Sequence, residues 1–515
     1  MRSFAPLHLL ALLSSAIAFA QSPLTIGSHR ELFVDDYLIE SMSGQASLRL
    51  HQPQIQEVVM THDAPWEGSG SGYHSIFKDG DLYRMYYKAW QLTVTPGKVD
   101  TGEHPLWCCY AESKDGIHWQ KPALGLHEFR GSKANNIVIP HGMMGKVKPD
   151  GGHPAVFKDD NPAASADARY KAIVRSNSPK GLLALKSPDG LHWSPMVDHP
   201  VITDGAFDSQ NLAFWDAHSG VYRAYWRYFT GGVTDEKNWK PEGNRAIRTA
   251  TSKDFVHWEH QQDLRYPGSP DEQLYTNQVK PYHRAPHMLV GFPTRYVERG
   301  WSESMRQLPE RKHREWRAKA SQRYGTAITE GLFMASRDGI TFKRWNEAFL
   351  PPGIEREGTW NYGHQYIAWH LVETKSALEG APDELSLYAT ESYWSGRSSA
   401  LRRYTLRLDG FVSLHAPMAG GKLITRPFTF TGRQLEINFA SSAAGGVQVE
   451  ILNAGGKPVP GFTLADADAQ FGDSVKRTVT WKDVSDVHAL VGQPVRLRFV
   501  LRDADLYSFI FTDAP

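Results

Sequence analysis

One short pattern recurs four times along the chain and limits what the chain can fold into. Each copy has a serine, an aspartate two residues later and an aromatic residue four positions beyond the aspartate; the copies are 113–119, 187–193, 252–258 and 336–342. In three copies glycine follows the aspartate, and Asp-Gly suits a tight hairpin turn because glycine accepts positive φ. Strand-like runs precede each copy, and a repeat of four strands is typical of a propeller blade. With a fifth, degenerate unit from about Thr359 to Leu414, the pattern predicts an all-β fold containing a five-bladed β-propeller.

The segments outside the repeats predict a second domain and one insertion. After the linker 415–422, alternating runs such as 435–439 and 495–499 predict a C-terminal β-sandwich over 422–515. Residues 298–323 are rich in charged residues, Gln and Ala, and predict a helical insertion that is either a solvated helix or a lid over the pocket. The apolar stretch 30–40 is expected to lead into the propeller ring or to help close it, which places the propeller at 21–414.

Residues 1–20 have the features of a cleaved signal peptide. Arg2 precedes an apolar run, and Ala18-Phe19-Ala20 forms a small-x-small cleavage site. The run is too short to span a bilayer, which requires about 20 apolar residues. The mature chain is therefore expected to begin near Gln21 and to be secreted or periplasmic.

Charge and cysteine content exclude several classes of protein. The 515 residues include 57 Lys and Arg and 56 Asp and Glu, for a formal net charge of +1. This balance gives no long-range attraction to nucleic acid or to an anionic membrane, so neither is expected as a partner. The two cysteines, Cys108 and Cys109, cannot build a disulfide framework or a cysteine-based zinc site. No cofactor or metal site is predicted, although a structural calcium ion is compatible with the sequence.

Three segments, together with the propeller repeat and the terminal sandwich, carry a resemblance to known proteins. They are Glu31–Tyr37, Phe207–Asn211 and Arg403–Phe411. The chain resembles secreted bacterial proteins like those of glycoside hydrolase family 32, and its propeller is similar to those of families 43, 117 and 130. The resemblance implies a carbohydrate partner and cleavage of a plant or algal oligo- or polysaccharide, mostly with inversion. The Trp-Met-Asn-Asp-Pro-Asn-Gly, Arg-Asp-Pro and Glu-Cys motifs of family 32 are absent, so fructan cleavage is not implied.

Each blade offers one carboxylate just before its predicted innermost strand, where propeller strands line a central funnel. The five acids are Glu67, Asp150, Asp208, Glu272 and Glu357. Glycoside cleavage requires one carboxylic acid that protonates the leaving oxygen and a second carboxylate that acts as base or nucleophile. Asp208 is predicted to be the base or transition-state stabiliser, and Glu272, beside Tyr275, the proton donor. Glu67 competes for the role of base.

Polar and aromatic residues near these acids are predicted to bind substrate. Together with Asp150 and Glu357 they are His74, His153, Asn211, Tyr275, Asn277, Trp360 and His364. Imidazole and amide groups bind sugar hydroxyls, and Trp66, Trp360 and Tyr362 offer flat faces for sugar rings. Two alternatives stay open. A binding propeller without catalysis would have its acids tied in ion pairs, and a glycoside phosphorylase would have several Arg, Lys or His side chains beside an acid.

Overall fold

The computed structural model describes residues 22–235 and 238–513. The predicted signal peptide lies outside these ranges. Within them, no helix combines the length and apolar character needed to cross a bilayer. The chain begins with β1 (Leu24–Gly27), β2 (Glu31–Leu32), β3 (Ile39–Gly44), β4 (Ser47–Leu50) and β5 (Gln54–Thr61).

The next strands form blades one to three, each an antiparallel sheet. Blade one contains β6 (Gly72–Asp79), β7 (Leu82–Ala89), the hairpin β8 (Thr93–Thr95) and β9 (Lys98–Asp100), β10 (Trp107–Ser113), β11 (Trp119–Gln120) and β12 (Ile137–Ile139). Blade two contains β13 (Ala155–Lys158), a 3-10 turn (Ala166–Ala168), β14 (Tyr170–Asn177), β15 (Lys180–Ser187) and β16 (Ser194–Pro195). Blade three contains β17 (Leu212–Asp216), β18 (Val221–Val233), β19 (Lys240–Ser252) and β20 (Trp258–Asp263). In each, the main strands pair in chain order.

Blade four contains the helical insertion, and the fourth strand of blade five comes from the N-terminal part of the chain. Blade four contains β21 (Lys280–Tyr282), β22 (Ala285–Gly291), β23 (Thr294–Glu298), α1 (Glu303–Gln307), α2 (Arg311–Ala320), α3 (Gln322–Thr326), β24 (Ala327–Gly331), β25 (Met334–Ser336) and β26 (Lys343–Arg344). Blade five contains β27 (Val372–Thr374), β28 (Glu384–Glu391) and β29 (Ala400–Leu406), and its fourth strand is β5. The five-bladed β-propeller is confirmed.

The chain ends in a second β-domain that also contains the first four strands. Its remaining elements are β30 (Val412–Ala416), β31 (Gly421–Thr425), β32 (Phe428–Phe430), β33 (Gln434–Asn453), β34 (Asp473–Thr478), a 3-10 turn (His488–Leu490) and β35 (Val495–Thr512). Strand β2 pairs with β35, and β3 pairs with β31. Of the two expectations for residues 30–40, closure of the ring is wrong, because β5 closes it. The segment leads towards the ring instead: Phe33 and Leu38 are buried in the core of the C-terminal β-domain, while Leu32 and Val34 pack against blades four and five.

The turn Asp409-Gly410, expected to punctuate blade five, lies at the junction of the two domains. The carboxylate of Asp409 is fully buried and accepts hydrogen bonds from Tyr282 (2.7 Å) and Arg284 (2.8 Å) of blade four. It also accepts hydrogen bonds from Ser508 (2.7 Å) and Asn438 (3.1 Å) of the C-terminal β-domain. One side chain thus links the propeller to the second domain.

The recurrent motif forms the same turn in all four copies, between the third and fourth strands of a blade. In the first copy the main-chain N–H of Gly116 donates to Ser113 Oγ (2.9 Å). Each turn also contacts a neighbouring blade: the hydroxyl of Tyr388 donates to the Gly116 oxygen (2.6 Å), and that of Tyr225 to the Gly339 oxygen (2.9 Å). The motif therefore docks adjacent blades as well as closing a hairpin.

Replacing Gly190 by alanine is expected to destabilise this docking. Gly190 has φ +81°, and a Cβ there would lie 2.4 Å from the buried hydroxyl oxygen of Tyr86. We expect a loss of about 2–4 kcal/mol in the free energy of unfolding, from backbone strain and overpacking together. Urea denaturation would measure it. Gly220→Ala is the control, because Gly220 has φ +67° but no atom within 4 Å of its Cβ position. Equal losses in the two variants would contradict the docking role.

The helical insertion is docked rather than free in solvent. On α2, the side chains of Arg314 and Arg317 are completely buried. Arg314 donates to the main-chain oxygen of Trp360 (2.7 Å), and Arg317 donates to Asn361 Oδ1 (2.9 Å). Burying a guanidinium is costly unless its hydrogen bonds are made, and Arg314 makes them at all three nitrogens, which fixes α2 on the loop that leads into blade five. Nε and Nη1 of Arg317 have no partner among the described residues.

A polar layer crosses the propeller axis. Gln210 Nε2 donates to the main-chain oxygens of Tyr73 (3.0 Å) and Pro154 (2.9 Å). Gln278 Nε2 donates to Gln210 Oε1 (2.8 Å) and to the main-chain oxygen of Ile367 (2.8 Å). These groups belong to the innermost segments of all five blades. The axial layer therefore separates a funnel at one end of the propeller from a cavity at the other.

Candidate functional site

Three basic residues occupy equivalent positions in the second strands of blades one to three. Lys88 on β7, Arg175 on β14 and Arg227 on β18 each lie five residues after a tyrosine. Because side chains alternate along a strand, equal spacing brings the three cations to the same end and face of their blades. We call them the funnel cations.

Six tyrosines pack together around the propeller axis. The tyrosine cluster consists of Tyr73, Tyr275, Tyr296, Tyr362, Tyr366 and Tyr393. The ring of Tyr366 stacks on those of Tyr73 and Tyr275, with centroids 5.8 and 5.5 Å apart. His153 of blade two packs 5.6 Å from the Tyr73 ring, and Arg227 of blade three lies 4.6 Å from the Tyr275 ring. Side chains from all five blades therefore meet in the funnel.

The hydroxyl of Tyr275 lies in a cationic environment. It is 2.8 Å from the hydroxyl of Tyr362, and the Arg227 and Arg245 guanidinium groups lie 4.6 and 5.5 Å from its ring centroid. Burial alone would raise the pKa of Tyr275, but Arg227, Tyr362 and Arg245 outweigh burial and lower this pKa to about 8. The cations therefore favour ionisation of Tyr275 over that of its partner Tyr362, whose pKa burial and Tyr275 raise.

Lys88 is a buried cation surrounded by aromatic rings. Its Nζ donates to the Tyr393 hydroxyl (2.8 Å) and lies 4.4 Å from the ring centroid of Tyr73. Burial lowers the pKa of Lys88 to about 7, although the negative charge of Asp150 opposes the shift. Lys88 is therefore partly charged near neutral pH, and an anion in the funnel would favour the charged form.

The affinity of the funnel for an anionic saccharide is expected to fall as pH rises through about 7, because Lys88 loses its proton there. Lys88→Met is expected to bind such a saccharide about tenfold more weakly at about pH 6 and to lose most of the pH dependence. Calorimetric titration with a uronic acid oligosaccharide and its uncharged counterpart would measure both effects. Lys457→Met, which removes an exposed lysine of the C-terminal β-domain, is the control. An unchanged pH dependence in Lys88→Met would contradict the assignment.

Asp150 and His153 form a buried pair beside Lys88. Asp150 Oδ2 is 2.9 Å from His153 Nδ1 and 3.6 Å from Arg175 Nε. Burial opposes ionisation of Asp150, but His153 and Arg175 hold its pKa below the usual value. Burial lowers the pKa of His153 to about 4, so its imidazole is neutral at pH 7. Donation from Nδ1 to the carboxylate leaves Nε2 as a proton acceptor.

Asp208 lies where the funnel opens into a groove. The groove has a volume of about 450 Å³ and is lined by Arg175, Asn177, Lys180, Phe207, Asp208 and Trp239. The Asp208 side chain is 46% exposed and forms an ion pair with buried Arg227. Trp239 is 53% exposed, and Lys180 Nζ lies 4.7 Å from its ring centroid. The groove thus combines a carboxylate, two cations and an accessible aromatic face.

Glu67 and His74 belong to a separate buried network inside blade one. Glu67 accepts hydrogen bonds from the Tyr87 hydroxyl and from Lys121 Nζ (2.6 Å). His74 Nε2 is 3.0 Å from His62 Nε2. Burial, with smaller contributions from His62 and Lys88, holds the pKa of His74 well below its usual value. The structure does not bring either residue into hydrogen-bonding contact with the tyrosine cluster.

Glu272 and Glu357 also lie outside the tyrosine cluster. Glu272 is placed between two guanidinium groups, 3.0 Å from Arg295 Nη1 and 2.9 Å from Arg344 Nη2. Glu357 is 73% exposed and pairs with Arg397 (2.8 Å). The predicted neighbours Glu272 and Tyr275 therefore face different surroundings, and Glu272 acts as an ion-pair anchor of blade four.

The remaining predicted residues mainly shape loops. Asn211 Oδ1 accepts the main-chain N–H of Arg227 (3.1 Å), which fixes the loop that carries Asp208. His364 Nδ1 accepts the main-chain N–H of Trp360 (3.1 Å), and Trp360 packs beneath the helical insertion. Burial lowers the pKa of His364 to about 3. Asn277 Nδ2 is buried without a hydrogen-bond partner among the described residues.

Sequence reasoning missed the funnel cations, Arg245 and Trp239. A usable signal for the cations was the recurrence of tyrosine followed five residues later by Lys or Arg at 83–88, 170–175 and 222–227. Trp239 had no such signal, because it lies in the connection between β18 and β19 rather than on a repeated strand.

In the described ranges, no three or more His, Cys, Asp or Glu side chains are grouped so that they could hold a metal ion. A structural calcium ion stays a prediction.

Comparisons with known proteins give structural neighbours but no family model. No family model and no curated protein matches the sequence. A glycosyl hydrolase from Bacteroides ovatus is 14% identical with a TM-score of 0.42, and the match covers 70% of this chain and 94% of that one. The family 117 glycoside hydrolase Zg3597 from Zobellia galactanivorans is 11% identical with a TM-score of 0.36, covering 70% and 90%.

A further neighbour comes from work on family GH130, which describes glycoside hydrolases that target β-1,2 mannosidic linkages in Candida mannan. It is 14% identical with a TM-score of 0.38, and the match covers 68% of this chain and 94% of that one. Families 117 and 130, to which the sequence bears a resemblance, are thus among the neighbours, while the resemblance to family 32 stays a prediction. Scores this low describe a distant likeness, so function is argued from the residues of this chain.

Proposed function

We propose that this protein cleaves glycosidic bonds in a carbohydrate that carries negative charge. The observation that carries the proposal is the groove in which Asp208 lies beside Arg175, Lys180 and exposed Trp239. Indole faces stack on sugar rings, and cations bind carboxylate or sulfate groups. A sugar ring on Trp239 would bring its acidic substituent to the two cations and its glycosidic bond to Asp208.

Two groups supply the acid–base chemistry in this proposal. Asp208 is the exposed carboxylate that activates water or stabilises the developing positive charge on the sugar. The Asp150–His153 pair, on the other side of Arg175, is the second proton-transfer group. Arg227 orients Asp208, and the Tyr275 ring packs against the Arg227 guanidinium and holds it in place. Plant or algal glycans containing uronic acids or sulfate esters are the substrate class that fits.

Secretion is part of the proposal, because such glycans are extracellular polymers. The support is the N-terminal pattern of residues 1–20. The N-terminal sequence of the protein recovered from the periplasm or the medium should begin near Gln21.

The test is a product screen with purified mature protein. Oligosaccharides containing uronic acid or sulfate would be incubated with and without inorganic phosphate, beside the corresponding neutral oligosaccharides. New reducing ends from the anionic set, independent of phosphate, would support hydrolysis. Sugar phosphates formed only with phosphate would show phosphorolysis, for which Lys88, Arg175 and His153 provide cationic or hydrogen-bonding partners. An unsaturated product would instead indicate elimination and contradict the proposed hydrolysis.

A non-catalytic binding propeller is the second candidate, and one observation favours it. Each of the five predicted acids is ion-paired, with these partners: Glu67 with Lys121, Asp150 with Arg175, Asp208 with Arg227, Glu272 with Arg295, and Glu357 with Arg397. Saturable binding of an anionic glycan with no product from any member of the panel would establish this alternative.

A further inference from the structure

A second cavity lies beyond the axial layer, at the end of the propeller opposite the funnel. Its volume is about 480 Å³, within the range of about 300–1,000 Å³ that is usual for small-molecule sites. Gln278 of the axial layer forms part of its wall, and exposed Lys78 and Asp160 lie at its rim. We call it the lower cavity.

Lys280 of blade four extends into the lower cavity, where the charges of Asp160 and Asp159 favour its protonated form from beyond ion-pair distance. Its Nζ lies 5.4 Å from the ring centroid of Trp369, 5.6 Å from that of Phe214 and 5.8 Å from that of Phe157. These rings come from blades five, three and two. Nothing in the described part of the chain forms a hydrogen bond or an ion pair with Lys280 Nζ, although this atom is not sealed from solvent.

His370 supplies a second unpartnered group to the same cavity. Its side chain is only 9% exposed, and its Nε2 has no hydrogen-bond partner among the described residues. The ring lies between Trp369 and Phe77, with centroids 4.1 and 5.6 Å away. The main chain at His370 has φ +78°, a left-handed conformation that costs free energy in a residue other than glycine.

The two groups are complementary in hydrogen bonding. Burial and the nearby charge of Lys280 hold the pKa of His370 well below its usual value, so the imidazole is neutral. Its interaction with the main chain of Val156 favours a proton on Nδ1, which leaves Nε2 as an acceptor. Lys280, in contrast, can only donate. A fitting ligand must accept a charged hydrogen bond at one end and donate a hydrogen bond at another.

We propose that the lower cavity binds a small hydroxylated carboxylate, such as a monomeric uronic acid. The carboxylate would accept hydrogen bonds from Lys280 Nζ, a sugar hydroxyl would donate to His370 Nε2, and the ring would lie against Phe77 and Phe292. A buried polar group without a partner costs roughly 1–3 kcal/mol, and a ligand of this class would satisfy both groups at once. The inference is independent of the function proposed for the funnel.

The test compares two lysines at opposite ends of the propeller, Lys280 in the lower cavity and Lys88 in the funnel. Binding of D-galacturonate and of D-galactose to the mature protein would be measured by calorimetry in the wild type, Lys280→Met and Lys88→Met. We expect saturable binding of galacturonate but not of galactose. The affinity of the lower cavity for galacturonate is expected to fall at least about tenfold in Lys280→Met and to be unchanged in Lys88→Met.

Thermal unfolding of the same proteins distinguishes loss of the binding site from poor folding of a variant. Without ligand, Lys280→Met is expected to unfold at the wild-type temperature or above it, because the substitution removes an unpaired cation. Galacturonate should raise the unfolding temperature of the wild type and of Lys88→Met, and should raise that of Lys280→Met by less, because this variant keeps only the funnel lysine. Unchanged galacturonate binding in Lys280→Met, or no saturable binding by the wild type at millimolar galacturonate, would overturn the proposal.

Discussion

Substituting Asp208 by asparagine is expected to lower the rate of glycan cleavage by about 10²–10⁴-fold. Asparagine keeps the size of the side chain and one oxygen for Arg227, but it can neither accept a proton nor stabilise a positive charge as a carboxylate does. Because the groove is otherwise unchanged, the Michaelis constant should change much less than kcat. Steady-state kinetics on the substrate identified by the product screen would measure both quantities.

The control for Asp208 comes from the same connection in blade three. Asp204 is 51% exposed and pairs with Arg248 (2.6 Å), outside the groove. Asp204→Asn should leave kcat within about twofold of the wild-type value, as is usual for an exposed ion pair. If both variants kept full activity, Asp208 would not be the base. If both lost activity equally, the loop conformation rather than the carboxylate would be responsible.

Replacing Asp409 by alanine is expected to reduce the free energy of unfolding by about 3–5 kcal/mol, as for the loss of one partner of a buried ion pair. The substitution leaves Arg284, Tyr282, Ser508 and Asn438 without their shared acceptor at the domain junction. Urea denaturation monitored by tryptophan fluorescence would measure the change. Asp473→Ala is the control, because Asp473 is 68% exposed although it also pairs with an arginine.

The contribution of Asp409 to the stability of the folded protein is expected to decrease at acidic pH. Burial opposes ionisation, but Arg284 and Arg30 hold the pKa of Asp409 below its usual value. The carboxylate therefore stabilises the folded protein fully above the unfolded-state pKa of about 3.9, and this contribution is lost as pH falls through the lower folded-state pKa. The difference between wild type and Asp409→Ala should shrink below about pH 4. A difference that grows on acidification would contradict the ion-pair role.

The propeller was predictable because its signal is local and repeated. Each Ser-x-Asp turn closes its own hairpin through bonds within a few residues, so the pattern is visible in the sequence. The position of β1 to β5 was not predictable in this way. Strand β5 pairs with β29, and β3 with β31, across more than three hundred residues, and alternating apolar residues do not specify which distant edge they join.

The candidate site was predictable only in part, for a similar reason. Asp208 lines the groove and Tyr275 lies in the tyrosine cluster, and both precede an inner strand in the sequence. Glu272 occupies an equivalent place in the sequence, yet its carboxylate meets Arg295 and Arg344 instead. Arg344 lies on the last strand of the same blade, so sequence spacing could not reveal this pairing. Trp239 lies on an irregular extension of blade three, which no repeat pattern describes.

The strand exchange between the two ends of the chain has a consequence for biogenesis. Strand β5 leaves the ribosome early but has no edge to pair with until β29 has been made, and β1 to β4 wait longer still for β30 to β35. Contacts of such high sequence separation slow folding, because the loop must close before they contribute stability. The ring therefore closes only after β29 has been made, and the C-terminal β-domain is completed only after β35. A circular permutant with new termini between β26 and β27 would shorten the sequence separation of these partners, and it is expected to refold faster than the natural order.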